Sequence, residues 1–170
     1  MFHMYGFFIG IAIVVGYSVA EKIEPRVKEG AGAVIVAGIL GARIYHVIDF
    51  WSYYSIHLNE MFYVWNGGLS FWGALMLGSA VAWIYFKGLT LKVMEAIVTG
   101  LPLAQAIGRL GNWANQEFVN PVMGIPWWGM EAILDLVLFG LLLLCPMKYR
   151  VWIYLAGYGL IRYILQPYRA

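Results

Sequence analysis

The segment Gly108-Arg109-Leu110-Gly111-Asn112-Trp113-Ala114-Asn115-Gln116-Glu117 closes an apolar run that begins near Leu91. The run has the length of a membrane span, which needs about 20 residues at 1.5 Å each. Its last turn carries a guanidinium, and the loop beyond is a cluster of amides and a carboxylate. An arginine at mid-membrane costs roughly 2.5–3.5 kcal/mol on insertion scales, so Arg109 requires partners.

The rest of the chain has the same character. It has 170 residues, 62% of them hydrophobic and 12% charged, and its mean hydropathy is +0.74. Soluble domains run nearer half apolar and a quarter charged. The pattern predicts an all-α, polytopic membrane helix bundle with about six transmembrane helices, near 1–20, 31–50, 67–86, 91–111, 127–145 and 151–165. Little polar sequence is left over, so 1–170 reads as a single transmembrane domain. The first run lacks a basic n-region and is long enough to span, so it reads as a helix rather than a cleaved leader. A net charge of +2 is too small to point to nucleic acid. Cys145 is the only cysteine and sits in a run of leucines, where it reads as apolar filler. No cofactor or metal is expected.

Orientation follows from Lys and Arg in the short connections. Lys22, Arg26 and Lys28 lie between spans one and two, Lys87 and Lys92 between three and four, and Lys148 and Arg150 between five and six. The aromatic 51–66 and polar 112–126 connections have none. Both termini and those two connections are therefore expected outward. At 1.5 Å per residue, Arg43 then lies roughly 22 Å above Lys28, Arg109 roughly 25 Å above Lys92, and Arg162 roughly 17 Å above Val151. Glu131 and Asp135 fall about 6 and 12 Å below the outer end of span five. His3 and Tyr5 open span one at that level, His46 lies one turn above Arg43, and Gly67-Gly68-Leu69-Ser70 opens span three.

Any one of these arginines is explained by snorkelling. Three at one level, with two acids, point instead to a polar cavity open to the outer side. Guanidinium forks match phosphate, and phosphate at this depth belongs to a lipid headgroup. The expected ligand is an anionic membrane lipid of the outer leaflet.

At these residues the chain resembles the prolipoprotein diacylglyceryl transferase family. His3-Met4-Tyr5-Gly6 is similar to its opening His-x-Tyr-Gly, and Gly41-Ala42-Arg43 to its Gly-Gly/Ala-Arg segment. Trp65-Asn66-Gly67-Gly68-Leu69-Ser70-Phe71-Trp72-Gly73 resembles its glycine-rich turn. Gly108–Glu117 resembles the family signature, Pro126 with Glu131 its Pro-x-Gln-x-Tyr-Glu element, and Tyr158-Gly159-Leu160-Ile161-Arg162 its Tyr-Gly-x-x-Arg element. The resemblance implies a bacterial plasma (inner) membrane enzyme with its active site toward the outer leaflet. It would transfer the diacylglyceryl group of phosphatidylglycerol to the lipobox cysteine of prolipoprotein signal peptides.

The resemblance also implies roles. Arg109 and Arg162 bind phosphate, and Arg43 adds to that or pairs with Glu131. Asn112 and Asn115 hydrogen-bond the headgroup glycerol. Glu117 and Glu131 orient the arginines, and Tyr5 lines the cavity. Gly67 and Gly68 let backbone approach the lipid, with Ser70, Trp72 and Tyr158 completing the binding set. Four departures stand out. Trp72 replaces the family histidine that is a candidate base, which passes that role to His46 or His3. Ile125 replaces a histidine and Gln166 a glutamate. The chain also stops at Ala170, where the family adds a seventh helix, and its 112–126 connection is short, so it reads as a minimal or truncated version. A catalytically inactive homologue that binds an anionic phospholipid or a lipoprotein signal peptide is the alternative reading. A transporter is disfavoured because no inverted repeat of broken spans is visible.

Overall fold

The computed structural model describes residues 4–64, 67–88, 90–115 and 121–169. Among them the regular elements are helices and one small hairpin. The α-helices are α1 (Met4–Ile23), α2 (Val27–Asp49), α3 (Trp51–Tyr54), α4 (Phe71–Tyr85), α5 (Leu91–Ala114), α6 (Trp127–Leu144) and α7 (Arg150–Leu165). The six long helices coincide with the six expected from sequence to within a few residues. Pro25 separates α1 from α2, and Pro126 stands immediately before α6, where a missing N–H costs nothing.

Four helices, α1, α2, α5 and α6, have the length and hydropathy to cross a membrane among the described residues. The apolar α4 has 15 residues and α7 has 16. At 1.5 Å per residue they reach roughly 22 and 24 Å, short of a hydrocarbon core of about 30 Å.

The helices form two compact units, 26–90 and 1–25 with 91–170. In the first, α2 packs along α4. Their closest approach is a pair of glycines. A Cβ on Gly41 would overlap the carbonyl oxygen of Gly73, and a Cβ on Gly73 the carbonyl oxygen of Gly41. Small residues that let backbones touch are how helices associate where lipid is the solvent.

In the second unit, α1 packs along α5, which also contacts α6 and α7. The apolar core joins Leu138 and Leu142 of α6 to Tyr154, Ile161 and Leu165 of α7. The α5–α6 connection ends in a hairpin, β1 (Pro121–Val122) against β2 (Ile125–Pro126), turning through Met123 and Gly124. Both turn residues have positive φ, 52° and 83°, as a tight hairpin turn of this twist demands.

Candidate functional site

In the second unit the charged residues that looked too costly for an apolar helix converge. Glu131, on the second turn of α6, has no exposed surface. Its Oε1 accepts a hydrogen bond from Arg109 Nη2 of α5 at 2.9 Å and lies 3.7 Å from Arg162 Nη1 in the last turn of α7. Its Oε2 accepts from Arg169 Nη1 at 3.1 Å. One buried carboxylate thus gathers three guanidiniums from three separate segments. Asn112, one turn along α5, turns its Oδ1 toward Arg109 Nη1 at 3.4 Å. The Trp127 ring lies beneath two of the arginines, with Arg109 Cζ at 5.7 Å and Arg169 Cζ at 4.6 Å from its centroid. Arg162 is the most open of the three, at 37% side-chain exposure against 18% for Arg109 and 22% for Arg169. Burial lowers the Arg169 pKa, and the Glu131 charge opposes that shift.

Asp135 behaves differently from the sequence expectation of an acid that pairs with arginine. It is fully buried one turn along α6, and among the described residues neither carboxyl oxygen has a hydrogen-bond partner. Tyr158, from the Tyr-Gly-x-x-Arg element, stacks on Tyr154 at 5.7 Å. The Tyr154 hydroxyl accepts from Gln105 Nε2 at 3.0 Å. Asn115 is exposed at the end of α5.

Arg43 belongs to the other unit and has another task. It is 7% exposed, and it donates through Nε to Met61 O at 2.8 Å and through Nη1 to Gly67 O at 2.9 Å and Gly68 O at 3.0 Å. Nη2 donates to Glu60 O, and the guanidinium lies over the Tyr54 ring at 5.2 Å. Four of the five N–H groups of an arginine are therefore given to backbone carbonyls. Arg43 pins the α2–α4 connection. Most of the donors that phosphate binding or pairing with Glu131, the two roles expected of it, would use are given to these carbonyls.

Gly67 and Gly68 have φ of +87° and +69°, conformations glycine adopts without cost. A Cβ on Gly68 would lie 2.7 Å from both Arg43 Nη1 and His46 Nε2. His46 is enclosed by Phe50 and Tyr54, with ring centroids 4.6 and 5.9 Å away. Ser70 precedes α4, and its N–H donates to Ala42 O at 3.0 Å. Trp72 is 61% exposed on α4. Tyr5 lies in the first turn of α1. His3, Trp65, Asn66 and Glu117 lie outside the described residues.

Sequence reasoning missed Trp127 and Arg169. Trp127 had a spacing signal, four residues before Glu131 on one face of α6, whereas Arg169 lies beyond the end of α7 and had none. It also read Arg150 as a loop charge. Arg150 instead caps α6, donating through Nε to Cys145 O at 3.2 Å and through Nη1 to Thr99 Oγ1 at 3.3 Å.

The sequence profile of the prolipoprotein diacylglyceryl transferases matches residues 1–170. The chain belongs to the prolipoprotein diacylglyceryl transferase family. It is similar to the phosphatidylglycerol–prolipoprotein diacylglyceryl transferase of Streptococcus uberis, 40% identical over 131 residues, which covers 71% of this chain and 51% of that protein. The Corynebacterium diphtheriae transferase is 32% identical over 215 residues, covering 94% of this chain and 76% of its own length. That of Cutibacterium acnes is 38% identical over 146 residues, 78% of this chain and 49% of that protein. The chain thus spans about half the length of two of these relatives. The family elements quoted from sequence supply Arg109, Asn112, Glu131 and Arg162, and these meet in one cluster.

Proposed function

We propose that the chain transfers the diacylglyceryl group of phosphatidylglycerol to the lipobox cysteine thiol of exported prolipoproteins, the first step of bacterial lipoprotein maturation. The observation that carries this reading is the gathering of Arg109 and Arg162, from two family elements, on the buried Glu131. In the reaction the cysteine thiolate attacks the glycerol carbon of the diacylglyceryl group. A C–S bond forms, the C–O bond to phosphate breaks with its electron pair on oxygen, and glycerol phosphate leaves. The thiolate is the required nucleophile, and the leaving phosphate is stabilised by guanidiniums already oriented before the substrate arrives. Glu131 does that orienting: its two oxygens hold the three guanidiniums together. Asn112 holds the position beside Arg109 where the headgroup glycerol would lie.

The setting is the bacterial plasma membrane with the arginine cluster toward the outer leaflet, which agrees with the alternation of basic and uncharged connections. Phosphatidylglycerol and the signal peptide of the preprotein are the partners. The second reading, an inactive homologue that binds an anionic lipid or a signal peptide, is favoured by one feature. Trp72 stands where a base would be, and indole offers only an N–H donor. His46, packed against Phe50 and Tyr54 beside Gly68, or His3 is the histidine available as substitute base on the transferase reading.

Complementation of cells depleted of their own transferase separates the two. The transferase reading expects growth with the wild-type chain and with Trp72→Ala, and no growth with Arg109→Ala. A stably expressed wild-type chain that restores no growth would leave only the binding reading.

A further inference from the structure

One turn below the Arg109–Glu131 pair lies a second polar layer. Helices α5 and α6 run antiparallel: Arg109 meets Glu131 at one end, and at the other Arg150 bridges Thr99 of α5 to Cys145 at the close of α6. One turn back along α5 from Arg109 therefore meets one turn on along α6 from Glu131. Those positions are Gln105 and Asp135. Tyr154 of α7 ties them together. Its hydroxyl accepts from Gln105 Nε2 at 3.0 Å, and the Asp135 charge acts on it. The other charged groups that Asp135 faces are Glu131 on its own helix, Arg109 of α5 and Arg162 of α7. Four buried polar atoms in and beside this layer have no partner among the described residues: both Asp135 oxygens, Gln105 Oε1 and Arg109 Nε. Buried polar groups are nearly always hydrogen-bonded, and an orphaned one costs about 1–3 kcal/mol. The layer thus presents three acceptors and one donor. A cysteine in a peptide offers the complement, because its S–H and N–H donate and its C=O accepts.

We propose that this layer receives the lipobox cysteine and that Asp135, rather than a histidine, takes its thiol proton. The proposal rests on the transferase reading. His46 belongs to the other unit and His3 lies outside the described residues, whereas Asp135 shares the unit of the arginines. The reaction itself sets the level. In an in-line displacement the sulfur approaches the glycerol carbon from the side away from the phosphate, about 3–3.5 Å from it before attack. With the phosphate level with Arg109 and Arg162, the carbon lies deeper and the sulfur deeper again. That places the thiol about one helical turn, roughly 5.4 Å, further into the span, where Asp135 follows Glu131. Of the two acids, Glu131 has guanidiniums on both oxygens, and Asp135 has both oxygens unpartnered. The S–H proton passes to an Asp135 oxygen, and the sulfur pair forms the C–S bond. The C–O bond breaks with its pair on the phosphate oxygen, and Asp135 then gives the proton to that oxygen. No further reactant is needed.

The test follows transfer from phosphatidylglycerol to two synthetic lipobox peptides by the whole chain in detergent micelles. One peptide carries cysteine and the other selenocysteine, whose selenol ionises unaided at neutral pH and needs no base. Asp135→Asn, of equal size, should slow transfer to the cysteine peptide by about 10²-fold or more, the lower end of general-base effects, and transfer to the selenocysteine peptide by less than about threefold. The variant's rate on cysteine should then climb about tenfold per pH unit toward the thiol's own pKa of about 8.5, while the wild type changes less. Asp135→Ser, smaller and uncharged, is the second variant should the first not fold, and is expected to show the same cysteine-specific loss. Equal slowing on both peptides by folded variants would mean that Asp135 only packs the helices, and an undiminished cysteine rate would mean that it takes no proton. Either result overturns the proposal. A cysteine-specific loss in His46→Ala with none in Asp135→Asn would assign the proton to the histidine, which overturns the proposal and leaves the transferase reading standing. A wild type that modifies neither peptide would refute the transferase reading and this inference with it.

Discussion

Arg109 of α5 and Glu131 of α6 form a 2.9 Å ion pair whose carboxylate has no exposed surface. The pair links two helices of the second unit at the end where α7 delivers Arg162 and the residues beyond it deliver Arg169. A buried carboxylate is tolerated only with compensating partners, and Glu131 has them on both oxygens.

Glu131→Gln should therefore destabilise the second unit. Three guanidiniums lose their common anion, and breaking a buried pair costs about 3–5 kcal/mol. Partial exposure of the arginines places the expected loss near the lower end, about 3 kcal/mol. Thermal unfolding in detergent reads it. An unfolding temperature equal to the wild type would mean that the carboxylate does not hold the cluster.

Arg43→Ala should loosen the 58–70 connection and leave the second unit intact. Four carbonyls lose charged donors, each such bond contributing about 1.5–3 kcal/mol. Hydrogen exchange should rise at the Gly67 and Ser70 amides, which donate to Val64 O and Ala42 O. Arg43→Lys should be only partly protective, because an ammonium lacks the planar fork. Unchanged exchange in Arg43→Ala would show that the carbonyl contacts do not organise the loop.

Gly41→Ala and Gly73→Ala should each disrupt the α2–α4 crossing. The added Cβ meets the opposing backbone in both cases, and backbone cannot rotate away as a side chain can. A loss of about 1–3 kcal/mol is expected, read as a lower unfolding temperature. Gly6→Ala, where a Cβ meets nothing within 4 Å, is the control.

Tyr53 gives a pH signature in the α2–α4 connection. Its hydroxyl donates to Glu60 Oε2 at 2.7 Å, and that bond raises the phenol pKa above the ordinary value near 10. A raised folded pKa means the bond contributes fully below pH 10 and is lost as pH climbs through the folded value. Ultraviolet difference titration of the wild type against Glu60→Gln should show one tyrosine that ionises later in the wild type and returns toward 10 in the variant. A Tyr53 titration unaffected by Glu60→Gln would exclude the bond.

Much of this arrangement was legible in the sequence. Arg109, Glu131 and Arg162 are charges inside apolar helices, where the cost of burial makes each one a signal. The helix positions followed from hydropathy and from Pro25 and Pro126. What depended on tertiary geometry did not show. Arg169 lies beyond α7 and reads as an ordinary tail charge until its partner is known. Arg43 and Arg109 look alike in sequence, but one spends its donors on carbonyls and the other on a carboxylate. Asp135 lies one turn from Glu131 like a second pairing acid, and only packing shows that no hydrogen-bond donor among the described residues reaches it. The hairpin at Met123-Gly124 was hidden because prolines at 121 and 126 argue against strand pairing.

The central claim is that the Glu131-held arginines release glycerol phosphate from phosphatidylglycerol. The most direct measurement is mass analysis of a synthetic lipobox peptide incubated with the purified chain and phosphatidylglycerol. The account predicts a diacylglyceryl thioether on the peptide cysteine, with the rate reduced by about 10²–10³ in Arg109→Ala and in Arg162→Ala, as for loss of one donor to a developing oxyanion. An unmodified peptide with the wild-type chain, or undiminished transfer by both variants, would contradict it.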